Sequence, residues 1–407
     1  MKGALKKTSY LLGLSLVAAN LQAETLVVLA ERIYTQAGPV IEAGAIVVED
    51  GKIRQVGRQS QLRLPAGAKT LQAAVVTPGL IDARTVVGLA GYLNQPHDQD
   101  QLETSAAMQP QLRALDAFNA RERLVDWVRS LGVTTFHTGH GPGALISGQT
   151  MVRKSHGNHV DDGMMQPLAM IAAQLGPGAF GAENRSPGTR SKQIAMLRQQ
   201  LIRAQEYQQK QQEAQEGKAP SRDLELEALV GVLNGSTPLL ITAYREQDMQ
   251  SALRIAEEFG IRIVLDGAAE AYLMLDAIKA AQVPVILHPT MARQFGELEN
   301  ASFITAQKLH QAGIPFALQS GYERYVPKTR VVLWEAAIAA AYGLPYEVAL
   351  ASITIDAARI LGIDERVGSI AVGKDADLVL YTGDPFEYTT QVSQVIINGQ
   401  LVSTEPH

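Results

Sequence analysis

The chain has no cysteine at any of its 407 positions. That excludes disulfides and lipid attachment at a lipobox cysteine. Charge of one sign is scarce as well, with a net of -5 at neutral pH. Such a balance gives no electrostatic case for nucleic acid or for an anionic membrane surface as partner. Past the N-terminal segment, no run is long and apolar enough to be transmembrane. No G-x-G-x-x-G or P-loop signature follows a strand, so a nucleotide cofactor is not indicated. What is present is an ordinary globular balance, 46% hydrophobic and 19% charged, with ample length for a large core.

The first residues have the form of an export signal. Lys2, Lys6 and Lys7 make a basic start, residues 11–19 a short apolar run, and Leu21-Gln22-Ala23 ends on a small residue. Cleavage after Ala23 is expected, which puts the mature protein in a periplasm or outside the cell with no membrane span. A chain without cysteine suits an oxidising compartment.

Short β-rich runs crowd both ends of the mature chain. Asp50-Gly51 and Asn398-Gly399 are hairpin turn signals between apolar runs. Neither end holds enough strands for a stable sheet alone. Residues 24–75 and 361–407 are therefore expected to build one small composite β-sandwich. The middle, residues 76–360, alternates apolar β runs with amphipathic helical stretches. Strands are expected at 133–136, 238–243, 261–265, 283–287 and 315–318, and helices at 120–130, 248–259, 270–281 and 302–312. This alternation argues an α/β fold with a parallel sheet. The length favours a closed (β/α)8 TIM-like barrel, with an open doubly wound sheet as the alternative. Residues 191–219, rich in Gln, Glu, Lys and Arg, are expected to be a surface helix with little apolar face, followed by a connector.

Three stretches carry a resemblance. They are Thr77-Pro78-Gly79-Leu80-Ile81-Asp82, Ala357-Ala358-Arg359-Ile360-Leu361-Gly362, and the run from Val367-Gly368-Ser369 through Gly373-Lys374-Asp375-Ala376-Asp377 to Gly383-Asp384-Pro385. In this order they resemble the amidohydrolase superfamily, in its imidazolonepropionase-related group, over nearly the whole mature length. The resemblance implies a metal-dependent hydrolase fold that acts on C–N bonds other than peptide. Zinc or another divalent metal would sit at the C-terminal mouth of the barrel and activate water.

At the positions that the resemblance assigns to metal ligands, this chain carries other residues. Arg84 and Val86 stand where the first strand has two histidines. Thr242 and Tyr244 replace imidazoles on a middle strand. Gly267 follows Asp266 where a histidine is expected, and Gly321 replaces the last-strand aspartate. Lys154 aligns loosely with a lysine that relatives can use as a bridging ligand. Valine and glycine offer no donor, and a permanently charged guanidinium repels a divalent ion. No cofactor is therefore expected.

Three outcomes stay open: a noncatalytic or strongly altered ligand-binding protein, a hydrolase on a rearranged site, or an interaction module that partners an active paralogue. Arg84, Tyr244, Asp266, Gln319 and His288 are the pocket candidates, positioning water or stabilising an oxyanion in the second case. Arg84 is either an anchor for a ligand carboxylate or a plug paired with Asp82 or Asp266. His137, His140 and His288 could face the mouth and form a substitute metal site, though their spacing matches no common zinc pattern. The polar run 96–101 and the Tyr322-Glu323-Arg324-Tyr325 stretch are candidate mouth segments. The expected partner is a small molecule, with further copies of the chain or an active paralogue as protein partners.

Overall fold

A computed structural model describes residues 25–93, 95–181, 185–214, 220–290, 293–321 and 332–404. The export segment and Tyr322 to Tyr325 lie outside the described residues.

Strands β1 (Leu26–Ile33), β2 (Ile41–Glu49), β3 (Lys52–Arg58) and β4 (Lys69–Pro78) open the chain. The Asp50-Gly51 turn between β2 and β3 has positive φ at both residues, 51° and 73°, as a two-residue hairpin of the primed type requires. The barrel follows with β5 (Leu80–Thr85), β6 (Val133–Gly139), β7 (Ile146–Lys154), β8 (Met164–Gln166), β9 (Ile171–Gln174), β10 (Leu239–Ala243), β11 (Ile263–Gly267), β12 (Val285–Leu287) and β13 (Phe316–Leu318). Strands β14 (Leu378–Tyr381), β15 (Val392–Ile397) and β16 (Gln400–Ser403) close the described chain.

The two chain ends meet in one seven-stranded sheet of order β16-β15-β14-β4-β1-β2-β3. It curls, because Ile53 N–H donates to the Lys374 carbonyl at 3.0 Å and Gly373 N–H to that of Ile53 at 2.9 Å. Alternate residues Leu26, Val28, Ile46, Val48, Leu378 and Leu380 pack inside the curl. β4 passes through Gly79 directly into the first barrel strand. Only glycine fits at this crossing, since a Cβ there would lie 2.0 Å from Thr134 Oγ1.

The barrel sheet runs β13-β12-β11-β10-β9-β7-β6-β5, with β8 attached to β7. The all-parallel (β/α)8 expectation needs one correction: β7 is antiparallel to both β6 and β9. No helix was predicted between β6 and β9, and the short glycine-containing loop at residues 140–145 turns the chain straight back as a strand. The cylinder is nearly closed. β13 and β5 share no ladder, but Leu318 N–H donates to the Ser352 carbonyl at 3.1 Å and Ile81 N–H to that of Ile353 at 2.8 Å. The 352–353 segment thus bridges the seam.

Period-2 burial fixes which residues face the lumen. Leu239, Ile241, Ile263, Leu265, Val285, Leu287, Phe316 and Leu318 pack outward in the cluster that also holds helix residues Ala252, Ile278 and Leu309. Leu240, Val264, Ile286 and Ala317 form a separate inner layer. Helices Glu246–Phe259, Leu275–Ala281 and Thr305–Ala312 alternate with β10 to β13. Gly260 and Gly313 end two of them in the left-handed conformation that suits glycine.

The Gln-rich region is also corrected. It is one 24-residue helix, Arg190–Glu213, that buries Leu197, Leu201, Ala204 and Tyr207 on one side. Spacings of three and four were present, but polar residues hid the stripe.

Candidate functional site

The inward parity carries on to the C-terminal ends of the strands. Beyond Leu240 come Thr242 and Tyr244, beyond Val264 comes Asp266, beyond Ile286 comes His288, and beyond Ala317 comes Gln319. In β9 the outward Ile171 and Ala173 leave Gln174 inward. Arg84, at the end of β5, joins the ring out of strict alternation, since Ile81 and Ala83 are the inner-layer residues and the β5–β6 register shifts between Asp82 and Thr85. It lies within electrostatic reach of Asp266 and Tyr244. The fold therefore brings Arg84, Tyr244, Asp266, Gln319 and His288 to one mouth.

Asp266 is buried and held on both oxygens. The Thr242 hydroxyl donates to Oδ2, and Gln319 Nε2 donates to Oδ1 at 2.8 Å. Gln319 also donates to the Ile286 carbonyl at 3.1 Å. Asp82 lies at the seam between β5 and β13. It accepts from Ser320 N–H at 3.0 Å, from the Ser320 hydroxyl, and from Arg84 N–H at 3.3 Å. Burial lifts its pKa to about 6 in spite of these hydrogen bonds, with the Glu335 carboxylate adding to the rise.

Arg84 is 4% exposed. Its direct partners are backbone carbonyls rather than a carboxylate: Nη1 donates to Thr85 at 3.3 Å, and Nη2 donates to His140. Burial pulls its pKa down, and the charges of Asp266, Asp82 and Tyr244 push it back up. A guanidinium thus sits within electrostatic reach of two carboxylates and bonded to two carbonyls.

The histidines around it are neutral at physiological pH. His137 is fully buried and pushed down to about 3, first by burial and then by Arg84. Its Nδ1 lies 2.8 Å from the Ala83 carbonyl and its Nε2 2.6 Å from the Thr150 hydroxyl. A neutral ring satisfies both by donating from Nδ1 and accepting at Nε2. His140 is held near 4 by burial and by Arg84. His288 is held near 4 by burial, and its Nδ1 has no hydrogen-bond partner among the described residues.

The glycines in the ring have steric causes. Gly267 has φ 80°, and a Cβ there would lie 2.6 Å from the Tyr244 ring. Tyr244 therefore takes the room that a side chain at 267 would need. Gly321 has φ 78°, and a Cβ there would strike Pro289 at 2.1 Å. Val86 is buried and offers no donor atom.

Lys154 is corrected most clearly. Because β7 runs antiparallel, its last residue sits at the bottom of the cylinder. Lys154 Nζ contacts Asp375 at 2.8 Å and Asp377 at 2.9 Å, and also meets Asn398. It is a buried hub between the barrel and the curled sheet, remote from the mouth. The polar run 96–101 does reach the mouth rim, through Gly141 N–H to the Gln101 carbonyl at 2.7 Å.

Sequence reading missed Gln174, Glu297 and Glu335. Gln174 ends a four-residue strand too short to stand out, although the Gly176-Pro177-Gly178 turn after it was visible. Glu297 Oε2 accepts from Gly178 N–H at 2.8 Å. Glu335, on helix Val332–Ala341, is buried and accepts from Thr290. Nothing in the local pattern marks either glutamate.

Residues 301–402 match the Amidohydrolase family. Over 394 residues the chain is 24% identical to an imidazolonepropionase of Maricaulis maris (strain MCS10), covering 90% of this chain and 94% of that protein. It is 26% identical over 410 residues to the amidohydrolase tasK of Hapsidospora irregularis, covering 89% of this chain but only 40% of that longer protein. The crystal structure of an amidohydrolase from Thermotoga maritima MSB8 superposes with a TM-score of 0.88 at 27% identity, over 93% of this chain and 100% of that one. These similarities support placement in the amidohydrolase superfamily and in its imidazolonepropionase-related group.

Proposed function

We propose that this amidohydrolase-superfamily protein binds a small molecule in its barrel mouth without metal-dependent hydrolysis. The observation that carries the reading is Arg84, a buried guanidinium in the ring where the superfamily generally relies on a divalent ion. The donor set does not fit such an ion. Val86 and Gly267 supply no ligand atom, and both oxygens of Asp266 already accept hydrogen bonds. A fixed positive charge next to them repels a second cation at close range. Among the described residues, no group of three or more His, Cys, Asp or Glu converges as an ion would require.

In this reading Arg84 takes over the charge role of the ion, balancing Asp266 and Asp82 in a low-dielectric lumen. Thr242 and Gln319 fix Asp266 in place. Tyr244 stands in the same ring, and His288 Nδ1, without a hydrogen-bond partner among the described residues, is open to a ligand. Export to a periplasm and association with an active paralogue belong to the same proposal.

Elemental analysis of protein purified without chelator, before and after incubation with zinc and manganese, tests it. The expected result is substoichiometric metal in both samples and no turnover on a panel of N-acyl amino acids and cyclic amides. Stoichiometric metal retained through gel filtration would defeat the proposal. Metal-free turnover that Arg84→Met abolishes would favour the rearranged hydrolase instead.

A further inference from the structure

Resting on that reading of the mouth, we propose that its β9–β10 side recognises a protonated amine. The ligand would be an ammonium-bearing small molecule held between Gln174 and Glu297, beside the Tyr244 hydroxyl.

The ring divides into two arcs. On the seam side the charged groups are engaged: Asp82 with Ser320, Asp266 with Thr242 and Gln319, and Arg84 with two carbonyls. On the other side two buried oxygens, Gln174 Oε1 and Glu297 Oε1, have no hydrogen-bond partner among the described residues. Gln174 is 3% exposed. Orphan buried acceptors are rare in native proteins and call for an explanation. The Gln174 oxygen accepts, as does the Glu297 oxygen in its ionised form, so a donor would satisfy both.

Glycines bring the two groups together. A Cβ on Gly178 would lie 2.3 Å from Gln174 Nε2 and 3.0 Å from Glu297 Oε2, and one on Gly176 would lie 2.4 Å from Glu297 Oε1. A bare Gly-Pro-Gly turn thus lets the carboxamide and the carboxylate both approach it, with Asp248 Oδ2 2.8 Å from the same point at Gly176. Burial raises the Glu297 pKa, with the Asp248 charge adding to it, against the pull of Gly178 N–H and of the more distant Arg190 and Arg245, so an adjacent cation would favour its ionised form. Arg190 is committed to Asp248 at 2.7 Å, and Arg245 to Glu299 at 2.8 Å and Glu270 at 3.5 Å. Glu297 has no direct ion pair among the described residues. Tyr244 lies within electrostatic reach of both Asp266 and Glu297, and its pKa is raised first by burial and then by those two charges. The arc is rich in acceptors and in negative charge. An ammonium group carries three donors and one positive charge, and so answers both.

The test uses the full-length protein and butylammonium as probe, with butyramide, butyrate and potassium as comparators. Calorimetry and thermal shift read binding, and metal content is measured on the same sample. Butylammonium is expected to bind in preference to all three comparators. Glu297→Gln and Gln174→Met should each weaken it by about tenfold or more, the effect of losing one charge-assisted contact. Gln174→Met should leave the melting temperature unchanged or higher, because it removes an orphan acceptor. Equal binding of butyramide or butyrate, displacement by potassium, no binding at all, or full affinity in both variants would each overturn the proposal. Stoichiometric zinc in the sample would sink the preceding reading and leave the amine result legible.

Discussion

Asp82→Asn isolates the energetic cost of closing the barrel with a buried acid. Asp82 holds β5 to β13 through Ser320, at the one seam without a strand ladder. Burial lifts its pKa from 3.8 to about 6. The native state therefore binds the proton more tightly than the unfolded chain. For an acid shifted upward, stability is highest below the unfolded value and falls as pH rises towards the folded value. The shift of about two pKa units corresponds to roughly 3 kcal/mol in total. Asparagine keeps the shape: its oxygen accepts from Ser320 N–H, and its amide donates to the Ser320 hydroxyl. It never ionises. The stability of the variant relative to the natural protein should then rise by roughly 2–3 kcal/mol between pH 4 and pH 7. Urea midpoints measured in parallel at several pH values give this difference, and contributions from other groups cancel. A difference that stays flat across the range would refute the reasoning. It would mean that the Ser320 and Arg84 hydrogen bonds fully offset desolvation.

Other perturbations separate the parts of the molecule. Lys154→Met should cost about 3–5 kcal/mol, because it leaves Asp377 buried without its cation. Denaturant unfolding would show it, and a loss under ~1 kcal/mol would deny Lys154 its role as hub. Gly267→Ala should destabilise by roughly 1–3 kcal/mol, since it combines a positive φ with contact against the Tyr244 ring. Adding Tyr244→Ala should recover part of that loss in a double-mutant cycle, whereas strict additivity would mean that the ring is not what excludes a side chain at 267.

Much of the scaffold was legible because local chemistry repeats along it. Strands at 133–136, 238–243 and 315–318 stand where short apolar runs bounded by turn residues predict them. Asp50-Gly51 and Asn398-Gly399 turn as their sequence demands. β7 was not legible. A strand that reverses direction inside a parallel cylinder has the same alternation as one that does not, and direction depends on the partners it meets. The 190–213 helix buries a stripe broken by Gln193 and Gln200, so composition concealed what packing against the barrel requires.

The candidate ring was legible in part. Arg84 and Tyr244 were marked by departures from a resembled pattern and Asp266, His288 and Gln319 by their places at strand ends, and period-2 parity sets the common lumen for all but Arg84. Gln174 and Glu297 carry no local signal, and they meet only because a turn of glycines lets a distant segment approach.

Sequence alone determined the class of fold and which side chains stand at the strand ends, since both are fixed by covalent order and side-chain type. Only the tertiary structure decided that Lys154 serves the base of the barrel, that Tyr244 excludes a side chain at 267, and that Arg84 leans on carbonyls. Those outcomes depend on which surfaces compete for the same volume and charge, and chain order does not encode that locally.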